Sequence, residues 1–388
     1  MTPAARIQSS IELLDTILSG VPTEQALTRW ARSNRFAGSK DRAAIRDHVF
    51  SAIRCRNSFA LLGGEHTGRG LMIGAIISAK ENVDEAFNGI GYGPAALSED
   101  ERGALRTLES LSDDERTDMP DWIWTKLQED LGDEAIQAAE YLRHRAPVFL
   151  RVNLRKCDVE TAITLLKEDE IEAEIHELSA TALQVVKNPR RVAQSRAYKD
   201  GYVELQDVAS QAVCDFLSLP NSGKILDFCA GGGGKSLAIA AKSDANIFAH
   251  DANILRMKDL PERGAKASTP IKILENIFIE ERFDLVLCDV PCSGSGSWRR
   301  SPDGKWNLTE TSLDDLNETQ ANILEEASSL VLDGGELAYA TCSVFHCENR
   351  ALVDAFVVNN SEWRVIEDHQ FLPQDGGDGF YIARLTRV

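Results

Sequence analysis

The sequence predicts a doubly wound α/β domain with a parallel sheet, preceded by a small α+β unit and an all-helical front domain. Three observations predict it. From Gly201 onward, short β-rich runs alternate with helical stretches, the signature of parallel strands joined by crossover helices. In residues 1–145 the apolar positions recur at helical spacing, as in Ile7, Ile11, Leu14 and Leu18. Between them, in residues 146–200, the pattern changes near Pro147 to strand, helix, strand, strand.

In chain order, the first helix runs through Leu18, and Gly20 and Pro22 punctuate its end. "TEQALTRWARSNRF" opens a second helix with Thr23 as its expected cap. "KDRAAIRDHVFSAIRCRNSFALL" is a third, through Ile45, Val49, Ala52 and Phe59, with Arg42, Arg46, Arg54 and Arg56 on its polar side. Residues 63–97 are richer in glycine and read ambiguously. A helix restarts at Ser98, and "PDWIWTKLQEDLG" forms another that ends at Gly132. "VFLRVNL", "AEIHEL" and "ALQVV" read as strands of the small unit, with "DVETAITLLKEDEI" as its helix. In residues 201–388 the strands are "KILDF", "NIFAHD", "IKIL", "FDLVLCD" and "ELAYATC".

The chain has 388 residues and a formal net charge of −19. Residues 1–69 hold ten Lys/Arg against six Asp/Glu, a net of +4, which leaves −23 for the remainder. Residues 71–150 hold seven basic and seventeen acidic residues. Such asymmetry permits a local basic surface on an acidic protein. No run of about 18 apolar residues occurs, so no membrane span is expected. The start lacks a signal-peptide core, which points to the cytoplasm. Eight scattered cysteines then read as reduced thiols rather than a disulfide framework.

"KILDFCAGGGGKSLAIAA" is strand, glycine loop and helix. A P-loop needs glycine where Cys229 stands, and the dinucleotide pattern needs glycine where Ser236 stands, so neither phosphate motif is complete. Glycines still let backbone approach a ligand closely at a helix start. Asp227 ends the first strand and Asp251 the next, where an acid grips ribose hydroxyls. Together they suggest a nucleoside ligand without a demanding phosphate, which S-adenosylmethionine fits better than ATP or NAD. A plain strand-to-helix turn is the bland alternative.

Cys292 and Cys342 each follow the carboxyl end of a sheet strand, where open α/β sheets bind ligands. Zinc binding by Cys288, Cys292, Cys342 and Cys347 is disfavoured by loose spacings and by Cys288 lying inside a strand. Core packing suits Cys55, Cys157, Cys214 and Cys288. A thiolate beside a methyl donor suggests a specific chemistry. Addition at C-6 of cytosine turns the ring into an enamine whose C-5 takes an electrophilic methyl group. Loss of the C-5 proton and elimination then call for an acid/base group. Asp289, three residues before Cys292, is placed to serve the N-3 edge.

"LDFCAGGGGKS", "LCDVPCSGSG" and "YATCSVFHCEN", with "VELQDVASQ" before them and "DGFYIARLTR" after, resemble the Sun/Nop family of RNA cytosine C-5 methyltransferases, in its bacterial RsmB-like branch. The resemblance covers roughly residues 147–388. It implies a Rossmann-like class I methyltransferase domain at 201–388, an RRM-like unit at 146–200 and a NusB-like RNA-binding domain at 1–145. It implies that Cys342 attacks C-6 and that Cys292 helps release the product, an order that residue types alone leave open. It implies that Cys229, Ala230, Gly231, Gly232, Gly233, Gly234 and Lys235 hold S-adenosylmethionine, that Asp251 binds its ribose, and that Asp289 sits near the methionine amine and the target base. Lys235 joins Asp289 among the expected catalytic residues. There are departures. Gly231 and Gly232 replace the family's Ala-Pro, which makes the free loop more flexible at some entropic cost. Glu275 and Asn276 stand where the family has an adenine-side Asp, and Asn276 is the expected adenine contact. Glu348 and Asn349 match the motif and are expected to brace the loop, and His346 receives no role.

"SWRRSPDGKW" interleaves Arg299, Arg300 and Lys305 with Trp298 and Trp306, a composition suited to splayed single-stranded RNA. A loop anchored by buried tryptophans fits it equally. Arg151 and Arg155 on the small unit are further candidate RNA contacts. The expected partner is RNA, small-subunit ribosomal RNA first and transfer RNA second, with the protein a cytoplasmic monomer that needs no metal.

Overall fold

Apolar residues at helical spacing fold the front of the chain into α1 (Pro3–Leu18), α2 (Thr23–Ser33), α3 (Ser39–Arg54), α4 (Arg56–Gly63), α5 (Gly68–Ser78), α6 (Val83–Ala86), α7 (Glu99–Ala104), α8 (Asp121–Leu131) and α9 (Ala135–Arg143). The computed structural model describes residues 1–277 and 281–387. Caps set several helix starts. Thr2 Oγ1 accepts from the Ala5 amide at 3.2 Å ahead of Pro3, and Ser98 and Glu101 form a reciprocal capping box. The ambiguous glycine stretch contains α5. A Cβ on Gly70 would lie 2.1 Å from Glu65 O and one on Gly74 2.0 Å from Phe59 O, so glycine is what lets α4 and α5 pack backbone to backbone. Ile11, Leu14, Ile45, Val49, Leu62, Leu71 and Ile73 fill the core of these helices.

The chain continues as β1 (Val148–Val152), α10 (Val159–Glu168), β2 (Glu172–Ile175), β3 (Ala182–Lys187), α11 (Arg196–Lys199) and β4 (Val203–Leu205). These strands form an antiparallel sheet in the order β2-β3-β1-β4. This βαββαβ order is ferredoxin-like.

Then follow α12 (Val208–Asp215), β5 (Lys224–Asp227), α13 (Gly234–Ala240), β6 (Asn246–Ala249), α14 (Leu260–Ala267), β7 (Ile271–Ile273), β8 (Phe283–Asp289), α15 (Asp303–Asn307), α16 (Glu310–Ser328), β9 (Val331–Thr341), α17 (Arg350–Asn359), β10 (Trp363–Phe371) and β11 (Phe380–Arg387). The sheet order is β10-β11-β9-β8-β5-β6-β7. The strands from β9 to β7 run parallel, whereas β11 is antiparallel to both β9 and β10. The expected parallel sheet is thus extended by an antiparallel pair, β11 and β10. The order reverses between β8 and β5, which makes their carboxyl ends the ligand crevice. Leu226, Val286, Cys288, Leu337 and Tyr339 fill one side of the sheet, and Ile225, Leu285, Leu287, Ala338 and Ile382 the other. Among the described residues no helix is long and apolar enough to cross a membrane.

By contacts the chain divides into two units. One is Met1–Arg145 with Trp298–Asn307, and the other is Ala146–Ser297 with residues 308 onward. The segment 298–307, expected within the sheet domain, thus folds with the helices. Thr23 is the first residue of α2 rather than its cap, and its Oγ1 donates to Asp303 Oδ1 at 2.7 Å. Lys305 Nζ donates to Arg54 O at 2.7 Å, Trp306 Nε1 to Ile53 O at 2.8 Å, and Arg54 Nε to Arg299 O at 2.9 Å.

Candidate active site

The site is built on the second unit. β5 delivers Asp227 to the crevice, fully buried, where Ser236 Oγ donates to its Oδ2 at 2.6 Å. Burial pushes the Asp227 carboxyl up to about 7. Its Oδ1 is buried without a partner among the described residues. The loop after β5 folds on itself, with Gly233 N donating to Ala230 O at 2.8 Å and Ala230 N to His250 O at 2.8 Å. Gly231 and Gly233 take φ of +54° and +78°, a region costly for other residues, and a Cβ on Gly233 would strike Leu260 Cδ1 at 2.3 Å. At the end of β6, Asp251 Oδ2 accepts from the Gly231 amide at 2.8 Å and pairs with Arg256 at 3.2 Å. Asp251 therefore braces the loop as well as facing the crevice. Glu275 and Asn276 follow β7 and are exposed.

β8 ends at Asp289, which accepts from Lys235 Nζ at 2.7 Å. Lys235 also lies over the Phe380 ring, 4.8 Å from its centroid. Burial is the largest influence and acts to lower the Lys235 ammonium, but Asp289, together with the Cys214 and Cys342 sulfurs, holds its pKa above the usual value. The sequence places these two 54 residues apart, and strand pairing makes them an ion pair.

Because β8 and β9 are parallel neighbours, the segments that follow them meet. Cys292 Sγ lies 3.3 Å from Cys342 Sγ. The neighbouring Cys342 sulfur and burial hold the Cys292 thiol well above its ordinary pKa, so Cys292 keeps its proton. Glu348 ties the two segments together. Its Oε1 accepts from the Ser293 amide at 2.8 Å and from Gln320 Nε2 at 2.9 Å, while its Oε2 accepts from the Ser293 and Ser343 hydroxyls. One wholly buried carboxylate thus receives the serine that follows each cysteine. Gly296 N donates to Cys342 O at 3.0 Å, and Asn349 Nδ2 to Ser343 O at 2.9 Å. The bracing expected of Glu348 and Asn349 takes this form, and only Gln320, from α16, carried no signal in the sequence. Cys288 is packed in the core, and His346 is exposed.

The expected RNA contacts fare differently. Trp298, Arg299 and Lys305 are buried, at 1%, 3% and 0% exposure, so they do not present themselves to RNA; only Arg300 of that group is exposed. Arg151 is also buried, donating to Gly234 O at 2.8 Å and to Gln206. Burial lowers its pKa to about 10. Arg155 donates to Ala240 O at 3.1 Å and Ser243 O at 2.6 Å. The two arginines hold the ferredoxin-like unit against the two ends of α13, with Arg155 satisfying its last carbonyls. Their role is docking the small unit behind the glycine loop.

The donors fit an S-adenosylmethionine-type ligand. Burial first, and then the carboxylates Asp227, Asp289 and Asp251, raise the pKa of Cys229 at the start of the loop. Asp289 is paired with Lys235 and Asp251 with Arg256, and carboxylates so arranged suit an ammonium, a sulfonium and ribose hydroxyls. The partnerless Asp227 Oδ1 and the strained glycine turn mark the same place.

Residues 214–386 match the family described as 16S rRNA methyltransferase RsmB/F, and residues 119–193 its ferredoxin-like domain. The ribosomal RNA small subunit methyltransferase B of Pasteurella multocida is 34% identical over 293 residues, which are 69% of this chain and 65% of that protein. That of Photorhabdus laumondii is 28% identical over 333 residues, 81% of this chain and 76% of that protein. The crystal structure of PH0851 superposes with a TM-score of 0.75 over 100% of this chain and 99% of that one, at 22% identity. A methyltransferase homolog protein from Pyrococcus horikoshii gives a TM-score of 0.63 at 19% identity, over 73% of this chain and 100% of that one. These two likenesses establish the fold.

Proposed function

The chain belongs to the RsmB-like branch of the Sun/Nop family, and on that premise we propose that it is an S-adenosylmethionine-dependent RNA (cytosine-C5)-methyltransferase acting on small-subunit ribosomal RNA. The observation that carries this is the Cys292–Cys342 sulfur pair, 3.3 Å apart, at the carboxyl ends of adjacent strands beside the Lys235–Asp289 ion pair.

When bound, S-adenosylmethionine supplies the electrophilic methyl group. Residues Cys229 to Lys235, with Asp227, Asp251 and Asp289, are the ones that would hold it, and Asn276 would contact its adenine. The rest falls to the chain. The Cys342 thiolate adds to C-6 of cytosine, forming a C–S bond and moving the ring electrons toward C-5 and the N-3 edge. Lys235 and Asp289 hold a shareable proton there. While Cys342 is free, its sulfur is the first cause of the raised Cys292 pKa. Once Cys342 is a thioether, that cause is gone and Cys292 ionises more readily. Burial and the Glu348 carboxylate still raise its pKa, and Cys292 is the base held 3.3 Å from the Cys342 sulfur when the C-5 proton must leave. Taking that proton lets the C–S bond break and the C5–C6 double bond re-form. The target base leaves its stack to reach Cys342.

Incubation of the protein with labelled S-adenosylmethionine and unmodified RNA, followed by bisulfite mapping, tests the assignment. The expected result is one 5-methylcytosine in small-subunit ribosomal RNA. A mark in transfer RNA with ribosomal RNA unchanged would move the substrate, and no mark in either would end the proposal.

A further inference from the structure

The turn between α2 and α3 gathers Arg32, Arg35 and Arg42 around a recess of about 380 Å³. Phe36, within the same turn, is 74% exposed. Arg29 and Lys40 flank it in solvent. The acids nearby are committed to other cations. Glu24 pairs with Arg46, Asp41 with Arg6 and the amino terminus, and Asp47 with Arg145. Among the described residues no acid pairs with Arg29, Arg32, Arg35 or Lys40. Arg42 Nε donates to Ala37 O at 2.9 Å, which pins that guanidinium to the turn.

Guanidinium groups gathered without a counter-charge repel one another, and an anion between them removes the penalty. Their planar forks match phosphate oxygens. A phosphate alone gives no reason for a bare phenyl ring alongside. A polyanion with flat apolar faces does, because a base can stack on Phe36 while its phosphates lie in the recess. With a net charge of −19 the chain as a whole repels nucleic acid, so a local positive site matters the more.

We propose that the α2–α3 turn is a docking site for a single-stranded segment of RNA, with phosphate held by Arg32, Arg35 and Arg42 and a base stacked on Phe36. The proposal rests on reading the chain as an RNA methyltransferase and names where that RNA is held on the helical unit.

The test is fluorescence anisotropy of a labelled small-subunit RNA transcript with full-length protein over a salt series. The double variant Arg32→Ala/Arg35→Ala should bind roughly tenfold or more weakly, and its salt slope should fall by about one to two. Phe36→Ala should weaken binding with the slope unchanged, and Arg32→Lys/Arg35→Lys should keep most of the slope. The side chains are exposed, so each variant should melt with the wild type. If the wild type methylates the RNA but the double variant binds it with unchanged affinity and slope, the site is wrong while the enzyme reading stands; an acidic protein as the true occupant would produce this result. If the wild type binds no RNA at all, the site and the enzyme reading fall together.

Discussion

Two stretches of the helical unit share a composition and not a fate. "RWARSNRF" at 29–36 and "SWRRSPDGKW" at 297–306 both interleave arginines with aromatic rings. In the first, Arg29, Arg32 and Arg35 reach into solvent and Phe36 is bare. In the second, Trp298, Arg299 and Lys305 are buried, and Lys305 and Trp306 donate to the carbonyls of Arg54 and Ile53 at the end of α3. The difference lies in partners. A helix end offers unsatisfied carbonyls, and a cation or an indole N–H that reaches them becomes structure. Basic-aromatic composition marks an RNA contact only where such partners are missing.

The comparison can be broken at either stretch. The largest expected effect is Trp298→Ala, which should cost about 3–5 kcal/mol in chemical denaturation of the helical unit; a loss under about 1 kcal/mol would mean that the segment is not anchored. Lys305→Ala should cost about 3 kcal/mol, from the cavity and from the unpaired Arg54 carbonyl, and wild-type stability would restore Lys305 as an RNA contact. An effect of similar size follows from pH. Burial lowers the folded-state pKa of Lys305 to about 8, against about 10.4 unfolded. Between these values the unfolded chain binds more protons, so stability should rise with pH from about 8 to about 10 and be flat with respect to this group below that window. Lys305→Met should abolish the rise, and a rise that survives the substitution has another source. Smallest of all, Arg29→Ala or Lys40→Ala should move stability by no more than about 0.5 kcal/mol; a larger change would show that the exposed turn is structural after all.

Much of the fold was legible because periodicity and strand order carry it: five strands of the main sheet, three strands and one helix of the small unit, and most front helices read directly, whereas β4, which completes the small sheet, lies past the expected boundary at residue 200. β10 and β11 did not. "WRVIEDHQF" is an edge strand with charges in its middle, and "FYIARLTR" returns antiparallel with no crossover helix before it, so neither fits a parallel βαβ pattern. α5 hid behind glycines that exist for close packing. At the site, the glycine loop and the two cysteines stood out because spacing and motif mark them. The docking roles of Arg151 and Arg155 did not, because an arginine that caps a distant helix looks the same in sequence as one that waits for phosphate. The Glu348 bridge joins Ser293, Gln320 and Ser343 only after β8 and β9 align.

The central claim is that the two adjacent sulfurs divide the work, Cys342 forming the bond to cytosine and Cys292 releasing it. Incubation of each single variant with RNA and S-adenosylmethionine, followed by denaturing electrophoresis, tests this most directly. Cys292→Ala should accumulate a covalent protein–RNA adduct, because the bond forms and is not released, and Cys342→Ala should form none. An adduct with Cys342→Ala and none with Cys292→Ala would reverse the order, and the absence of an adduct in both would contradict cysteine catalysis at this pair.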